Sequence, residues 1–361
     1  MSQTAGVSLA LLVPGLLGTQ DIGRQFQVLG EGGEGLRPLG QWLNRGQAVD
    51  ARGYGYEPAL LSLFGMGIAH GEELPVAPLT LFADSGEAPA GYWMRADPVH
   101  LQADRDRVIM TDIGDSFLAG APIDGLAAEL NAFLEPLGYR LHAPVPQRWY
   151  LRAPHPPRLR TSPVSAVLGR DVHDHMPRGE DARQWRALLN EIQMLLHASE
   201  ANRALQARGM KAVNSLWFWG GGVLPASGEP PWSQAWGDSP LLEGLTLQHG
   251  IPLRALPADG AAWLAEETAP GRHLVVYGGF LHPAQSGDYE AWARELETFV
   301  HSWCQPLMQA LKARRLTSAV LYPAHGRAYE LTPKRLGRWW KRGASLASFL
   351  DRRDNLYGAM S

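Results

Sequence analysis

Cysteine is nearly absent: Cys304 stands alone among 361 residues. One thiol excludes an intrachain disulfide and any zinc or iron–sulfur site built from clustered cysteines. An excess of one charge sign is also missing. Lys plus Arg number 33 and Asp plus Glu 36, a formal net charge of −3. That balance excludes nucleic-acid binding through bulk charge, and it excludes a polybasic membrane anchor. No apolar run reaches the roughly 18 to 20 residues that span a bilayer. The first residues lack the positive stretch of a secretory leader, and Val7–Leu17 reads instead as a buried strand. The expected location is therefore the cytoplasm, with neither membrane nor nucleic acid as partner. Against these absences, hydrophobic residues make up 45% of the chain, enough to bury one large core or two domains.

Ser8–Val13 is an uninterrupted apolar run closed by Pro14-Gly15, the pattern of a central parallel strand. Short helices follow at Gln41–Arg45 and Pro58–Phe64. From 66 to 179 Pro and Gly are frequent, and strands are short, at Tyr92–Arg95, Val99–Leu101, Val108–Thr111 and Arg148–Leu151. With one helix at Asp124–Phe133, this stretch predicts a small α+β unit, which leaves through the Pro-rich segment 154–163. Further on, Asp181–Gln206 and Tyr289–Ala313 carry apolar residues at helical spacing. Val213–Trp219, His273–Tyr277 and Ser318–Tyr322 read as buried strands. Alternating strands and helices predict an α/β fold with a mostly parallel sheet covered on both faces. The expected division is a core of 1–65 and 180–345, an inserted α+β domain of 66–179 and a loose tail of 346–361.

Ligands of parallel sheets sit beyond the carboxyl ends of the strands. The segments in question are Pro14–Leu17, Gly220–Leu224, Gly278–Asp288 and Pro323–Arg327. Gly220-Gly221-Gly222 offers backbone N–H groups to a phosphate. No Gly-Lys-Ser/Thr follows it, and Pro230 and Trp232 stand where a nucleotide-binding helix would begin, so a tight turn is the plainer reading. Asp171, His173 and His175 form the densest group of potential metal ligands, against the alternative of a polar surface loop. His282 and His325 each follow a strand and are candidate cleft residues, though loop histidines are common. Cys304 lies on the apolar face of its helix and reads as core. Ser62 lacks the Gly-x-Ser-x-Gly elbow of a hydrolase. Lys334–Arg342, with Trp339 and Trp340, suits phosphate or nucleic acid, against the plainer reading of a solvated helix face packed on the domain.

Several phrases, in order along the chain, carry a resemblance. Asn190-Glu191-Ile192, Asn202, Gly209, Ala212-Val213-Asn214 and Trp219-Gly-Gly-Gly are similar to the archaeal-type cofactor-independent phosphoglycerate mutases. Leu61–Gly65 resembles the segment after that family's nucleophile, and Arg95 through Asp112 its inserted strand pair. Asp171 with His173 resembles an Asp-Pro-His element, and Gly287-Asp288-Tyr289 the Gly-Asp that opens a long helix. The Asn-Glu-Ile-Gln-Met and Asn-Ser-Leu-Trp phrases are similar also to bacterial regulatory proteins of the RpfE type. The resemblance implies an αβα core of alkaline-phosphatase type, two divalent metals and a serine that is transiently phosphorylated.

The departures bear on function. The family's first-strand Asp-Gly falls at Pro14-Gly15, its Ser-Asp at Tyr56-Glu57, and its Asp-x-x-x-His at Leu281 and Gln285. Its Asp-His falls at Ala324-His325, and the arginine that would grip a phosphate bidentately falls at Trp219. Pro, Leu and Ala cannot coordinate the cations that offset charge in phosphoryl transfer. The leading expectation is a degenerate relative without cofactor, acting by binding or regulation on a small molecule or a regulatory protein. Tyr56, Trp219, His282, Gln285 and His325 would line its cleft, with Arg95, Asn214 and Gly221 as further ligand-binding residues. Tyr56 and His325 would serve any residual catalysis. One alternative is an active phosphotransferase or phosphatase with manganese or zinc on relocated ligands Asp171, His173, His175 and Asp288. The other is a metal-free enzyme with His325 or His282 as general base and Tyr56 as nucleophile or acid.

Overall fold

A strand buried on both faces must be apolar along its whole length, and Val7–Leu12 meets that condition. The computed structural model describes residues 6–29, 33–67, 72–111, 123–266, 269–338 and 345–350. Asp112, Trp339, Trp340 and Arg342 lie outside the described residues. The strands are β1 (Val7–Leu12), β2 (Gln47–Tyr54), β3 (Tyr92–Asp104), β4 (Arg107–Thr111), β5 (Arg140–Val145) and β6 (Arg148–Ala153). They continue with β7 (Ser215–Gly222), β8 (Gln234–Trp236), β9 (Leu253–Arg254), β10 (Gly271–Val276), β11 (Ser318–Tyr322) and β12 (His325–Leu331).

The chain divides into two units, 1–67 with 228–361, and 68–227. The first holds a seven-stranded sheet in the order β2-β12-β11-β1-β10-β8-β9. β1 pairs in parallel with β10 and with β11, so it is central, and the run β11-β1-β10-β8-β9 is parallel throughout. β12 and β2 add an antiparallel edge. Leu9 and Leu11 pack into a core with the helices Gln20–Leu29, Arg37–Arg45 and Tyr289–Phe299, while Ala10 and Leu12 are buried on the other face. The fold class is thus the expected α/β with a largely parallel sheet. The helix expected over Tyr289–Ala313 carries a π turn at Val300–Cys304, directly ahead of Pro306, which has no N–H to donate. Cys304 is fully buried there, and burial pushes its thiol up.

The second unit is built on an antiparallel sheet in which β3 joins β4, β6 and β7. It corrects the expected division of the chain. The insert runs on to Ser227 because β7 pairs antiparallel with β3 from Val99↔Ser215 to Trp93↔Gly222. SLWFW is apolar enough for a parallel core strand, yet here both its faces are covered within the second unit. Tyr92–Arg95 and Val99–Leu101 are parts of one 13-residue strand. Asp181–Gln206 is two helices, Ala182–Ala198 and Glu200–Ala207. Ser199, in extended conformation, ends the first and caps the second by accepting from Asn202 N–H. The tail is corrected in part: Leu346–Leu350 is helical and buries Leu346, Ala347, Phe349 and Leu350. Among the described residues, no helix is long and apolar enough to cross a membrane.

Candidate functional site

In the first unit, three loops leave the carboxyl ends of adjacent parallel strands β11, β1 and β10. Residues 13–19, 277–287 and 323–324 carry no Asp or Glu, and their only ligating side chain is His282, with His325 opening β12. His282 is exposed and Gln285 half-buried on the short helix Leu281–Ser286. His325 is buried, with its ring stacked on Tyr329 at 6.0 Å between centroids. It pairs with Tyr54 across the sheet, and Gly55 N–H donates to Ala324 O at 2.9 Å. That hydrogen bond draws the start of the helix Tyr56–Leu63 to the same end of the sheet as His325.

Tyr56 bonds Ser239 through its hydroxyl. Ser239 follows β8 and caps the helix Pro240–His249, its Oγ accepting from Leu242 N–H at 3.1 Å. The Ser-Pro pair at a helix start was a readable signal for this residue. Burial pushes the Tyr56 hydroxyl up, the Ser239 bond opposes this, and Glu57 and Asp238 add to it. A phenol held protonated serves as a hydrogen-bond donor; it is poorly suited to attack as a phenolate.

The second unit holds the other four expected ligand-binding residues, and each is already engaged there. Arg95 Nη2 donates to Asp97 Oδ1 at 2.6 Å, and its guanidinium lies 5.2 Å from the Trp219 ring centre. Trp219 Nε1 donates to Asp97 Oδ2 at 2.7 Å. These contacts favour packing over cleft lining for Trp219, which is 7% exposed. Asn214 spends its amide on one residue, accepting from Leu101 N–H at 2.7 Å and donating to Leu101 O at 2.8 Å.

The glycine triplet lies within β7 instead of beyond it, and Gly220 has φ +65. Its N–H groups do face a carboxyl group, but an internal one. Glu73 accepts from the backbone of Gly220 and Gly221, from Thr161 N–H at 3.3 Å and from the Thr161 hydroxyl. Burial is the largest influence on Glu73 and, against these hydrogen bonds, raises it from 4.5 to about 7. No local sequence signal marked Glu73, because its partners lie far along the chain.

The two-metal centre implied by the resemblance is tested by the donors present. Among the described residues, no three His, Cys, Asp or Glu side chains gather where one ion could be held. Asp171 caps the turn Val172–His175 and accepts from His173 Nδ1 at 2.9 Å, with the His173 side chain 66% exposed. Asp288 caps Tyr289–Phe299 in the other unit, accepting from Ala291 N–H. Within each unit the described residues gather no three such ligands, and the strand-end residues do not fit a pair of divalent cations.

No family model matches the chain. Over 189 residues it is 25% identical to the 2,3-bisphosphoglycerate-independent phosphoglycerate mutase of Methanothrix thermoacetophila, covering 47% of this chain and 48% of that protein. Over 236 residues it is 26% identical to 2,3-bisphosphoglycerate-independent phosphoglycerate mutase 2 of Methanothermobacter thermautotrophicus, covering 59% and 56%. The chain thus spans about half the length of the curated relatives it matches. A solved structure of a Pyrococcus horikoshii protein aligns over 96% of this chain and 92% of its own, at TM-score 0.54 and 12% identity, a likeness of fold. A cofactor-independent phosphoglycerate mutase of Thermoplasma acidophilum aligns at TM-score 0.47 and 15% identity, over 95% and 94%. The relationship to phosphoglycerate mutases rests on the sequence matches.

Proposed function

We propose that this phosphoglycerate-mutase-like chain has lost metal-dependent phosphoryl transfer and acts by binding a small ligand or a regulatory protein. One observation carries the reading: the loops at the ends of β1, β10 and β11 offer Pro14, Leu281 and Ala324 where cations would need charged oxygen or imidazole donors. A single neutral imidazole at His325 offers neither chelation nor charge compensation. Tyr56, at the position matched to the nucleophile, supports the reading too, since burial holds its hydroxyl protonated. The residues left at this end of the sheet can donate and accept hydrogen bonds, which suits recognition.

Elemental analysis of the desalted protein, purified without chelator, is the direct test. The expected result is no stoichiometric manganese or zinc, and an unfolding temperature unchanged by EDTA. Two tightly held metals per chain would overturn the reading. One metal lost on His173→Ala would instead place a single structural ion at the Asp171–His175 turn.

A further inference from the structure

Arg140 on β5 and Arg152 on β6 stand directly opposite each other in the second unit. Like charges in directly opposed positions of an antiparallel pair repel and weaken the sheet. Elsewhere in this unit the arginines of the sheet have carboxylates: Arg95 pairs with Asp97, and Arg148 with Asp84 at 2.6 Å. Among the described residues, Arg140 and Arg152 have no carboxylate at ion-pair distance. Both are exposed, and both line a cavity of about 410 Å³, within the size range of small-molecule sites.

The remaining wall is largely apolar. Ala153, Pro154, Pro156 and Val223, which is 56% exposed, face the same cavity, and Tyr92 adds one aromatic ring with a hydroxyl. Gly91, at φ +89, closes the cavity beside Arg152. A Cβ there would stand 3.4 Å from Arg152 Nε, so the missing side chain leaves the guanidinium room to lie against the backbone. Two planar forks of N–H donors beside an apolar wall match one chemistry, an oxyanion on an apolar body.

We propose that this cavity is a binding site for a small organic oxyanion, whose phosphoryl or carboxylate group bridges Arg140 and Arg152 while its apolar part lies on Pro154, Pro156 and Val223. The bound anion offsets the repulsion that the empty sheet tolerates. The site lies wholly in the second unit and does not depend on the loss of phosphoryl transfer proposed above.

Calorimetric titration of the full chain with phenyl phosphate, benzoate and inorganic phosphate tests it. Phenyl phosphate is expected to bind saturably with Kd of about 1 mM or tighter. Inorganic phosphate, lacking the apolar body, binds more weakly, and benzoate separates a need for the phosphoryl group from a need for any carboxylate. Arg140→Gln and Arg152→Gln should each weaken the phenyl phosphate site by about tenfold or more, as expected for loss of a charge-assisted contact. Arg183→Gln, on an exposed helical position of the same unit, should leave it unchanged. Both cavity variants should keep the wild-type circular dichroism and unfold no earlier than wild type, because each removes one of two opposed like charges. Absence of saturable binding by any of the three probes, or binding indifferent to both cavity substitutions, overturns the proposal.

Discussion

Asp97→Ala is expected to destabilise the protein by about 3–5 kcal/mol in urea unfolding, because it leaves a buried guanidinium without a counter-charge. Arg95 is 7% exposed and Asp97 5%, and Arg95 reaches the carboxylate through Nε at 2.9 Å and Nη2 at 2.6 Å. The same carboxylate is the acceptor for Trp219 Nε1, so its removal also orphans a buried indole. Burial pushes the Asp97 carboxyl up, while Arg95, Trp219 and, more weakly, Arg148 pull it down. Asp97→Asn keeps the shape and one acceptor and should cost less than alanine. Replacing Arg95 with Met and Asp97 with Leu together should recover the part of the loss due to the missing counter-charge, but not the part due to the Trp219 indole, which still lacks its acceptor. A cost for Asp97→Ala below about 1 kcal/mol would mean that the cluster is wetter than its burial indicates.

Glu73 gives the second large effect, and it depends on pH. Its native value of about 7 lies above the ordinary 4.5, so the folded state holds the proton more tightly than the unfolded chain. The stabilisation from this group is complete below pH 4.5 and is lost as pH rises to about 7. Its size is about 3 kcal/mol. Glu73→Gln should therefore match wild type near pH 4.5 and exceed it by up to that amount at pH 8. The readout is the difference between wild type and variant, because buried His273, whose ring burial pushes down, tilts the total in the opposite sense. A difference that stays flat from pH 4.5 to pH 8 would show that the Gly220–Gly221 cradle holds Glu73 as an ordinary exposed carboxylate.

The parallel half of the fold was legible because its strands are buried on both faces. A run such as Leu9–Leu12 has no other comfortable place, and Ser318–Tyr322 was read to the residue. The same property misled at Ser215–Trp219, where an equally apolar strand is covered on both faces within the antiparallel unit. Composition reports how deeply a strand is buried; it carries no record of which sheet holds the strand. That one strand displaced the border of the insert. The buried polar cluster was half legible: Arg95-x-Asp97 sets opposite charges two residues apart on one face of a strand, a pattern that suggests a same-face pair. Its third member Trp219 and the Glu73 cradle depend on register between distant segments, which one sequence does not encode locally. In the strand-end loops the missing carboxylates are a property of the sequence itself, and they stay missing under small errors of alignment.

The central claim, that metal-dependent phosphoryl transfer has been lost, is tested most directly by offering the purified chain 3-phosphoglycerate in an enolase-coupled assay with manganese, magnesium or cobalt. Removing one preorganised transition-state contact typically slows an enzyme by about a hundredfold or more, and on the proposed reading the resemblance sets Tyr56, Trp219 and the Pro14, Leu281 and Ala324 loops where nucleophile, arginine and metal donors would stand. The account predicts no turnover above the rate without the protein. Sustained metal-dependent turnover that disappears on Tyr56→Phe or His325→Ala would contradict it.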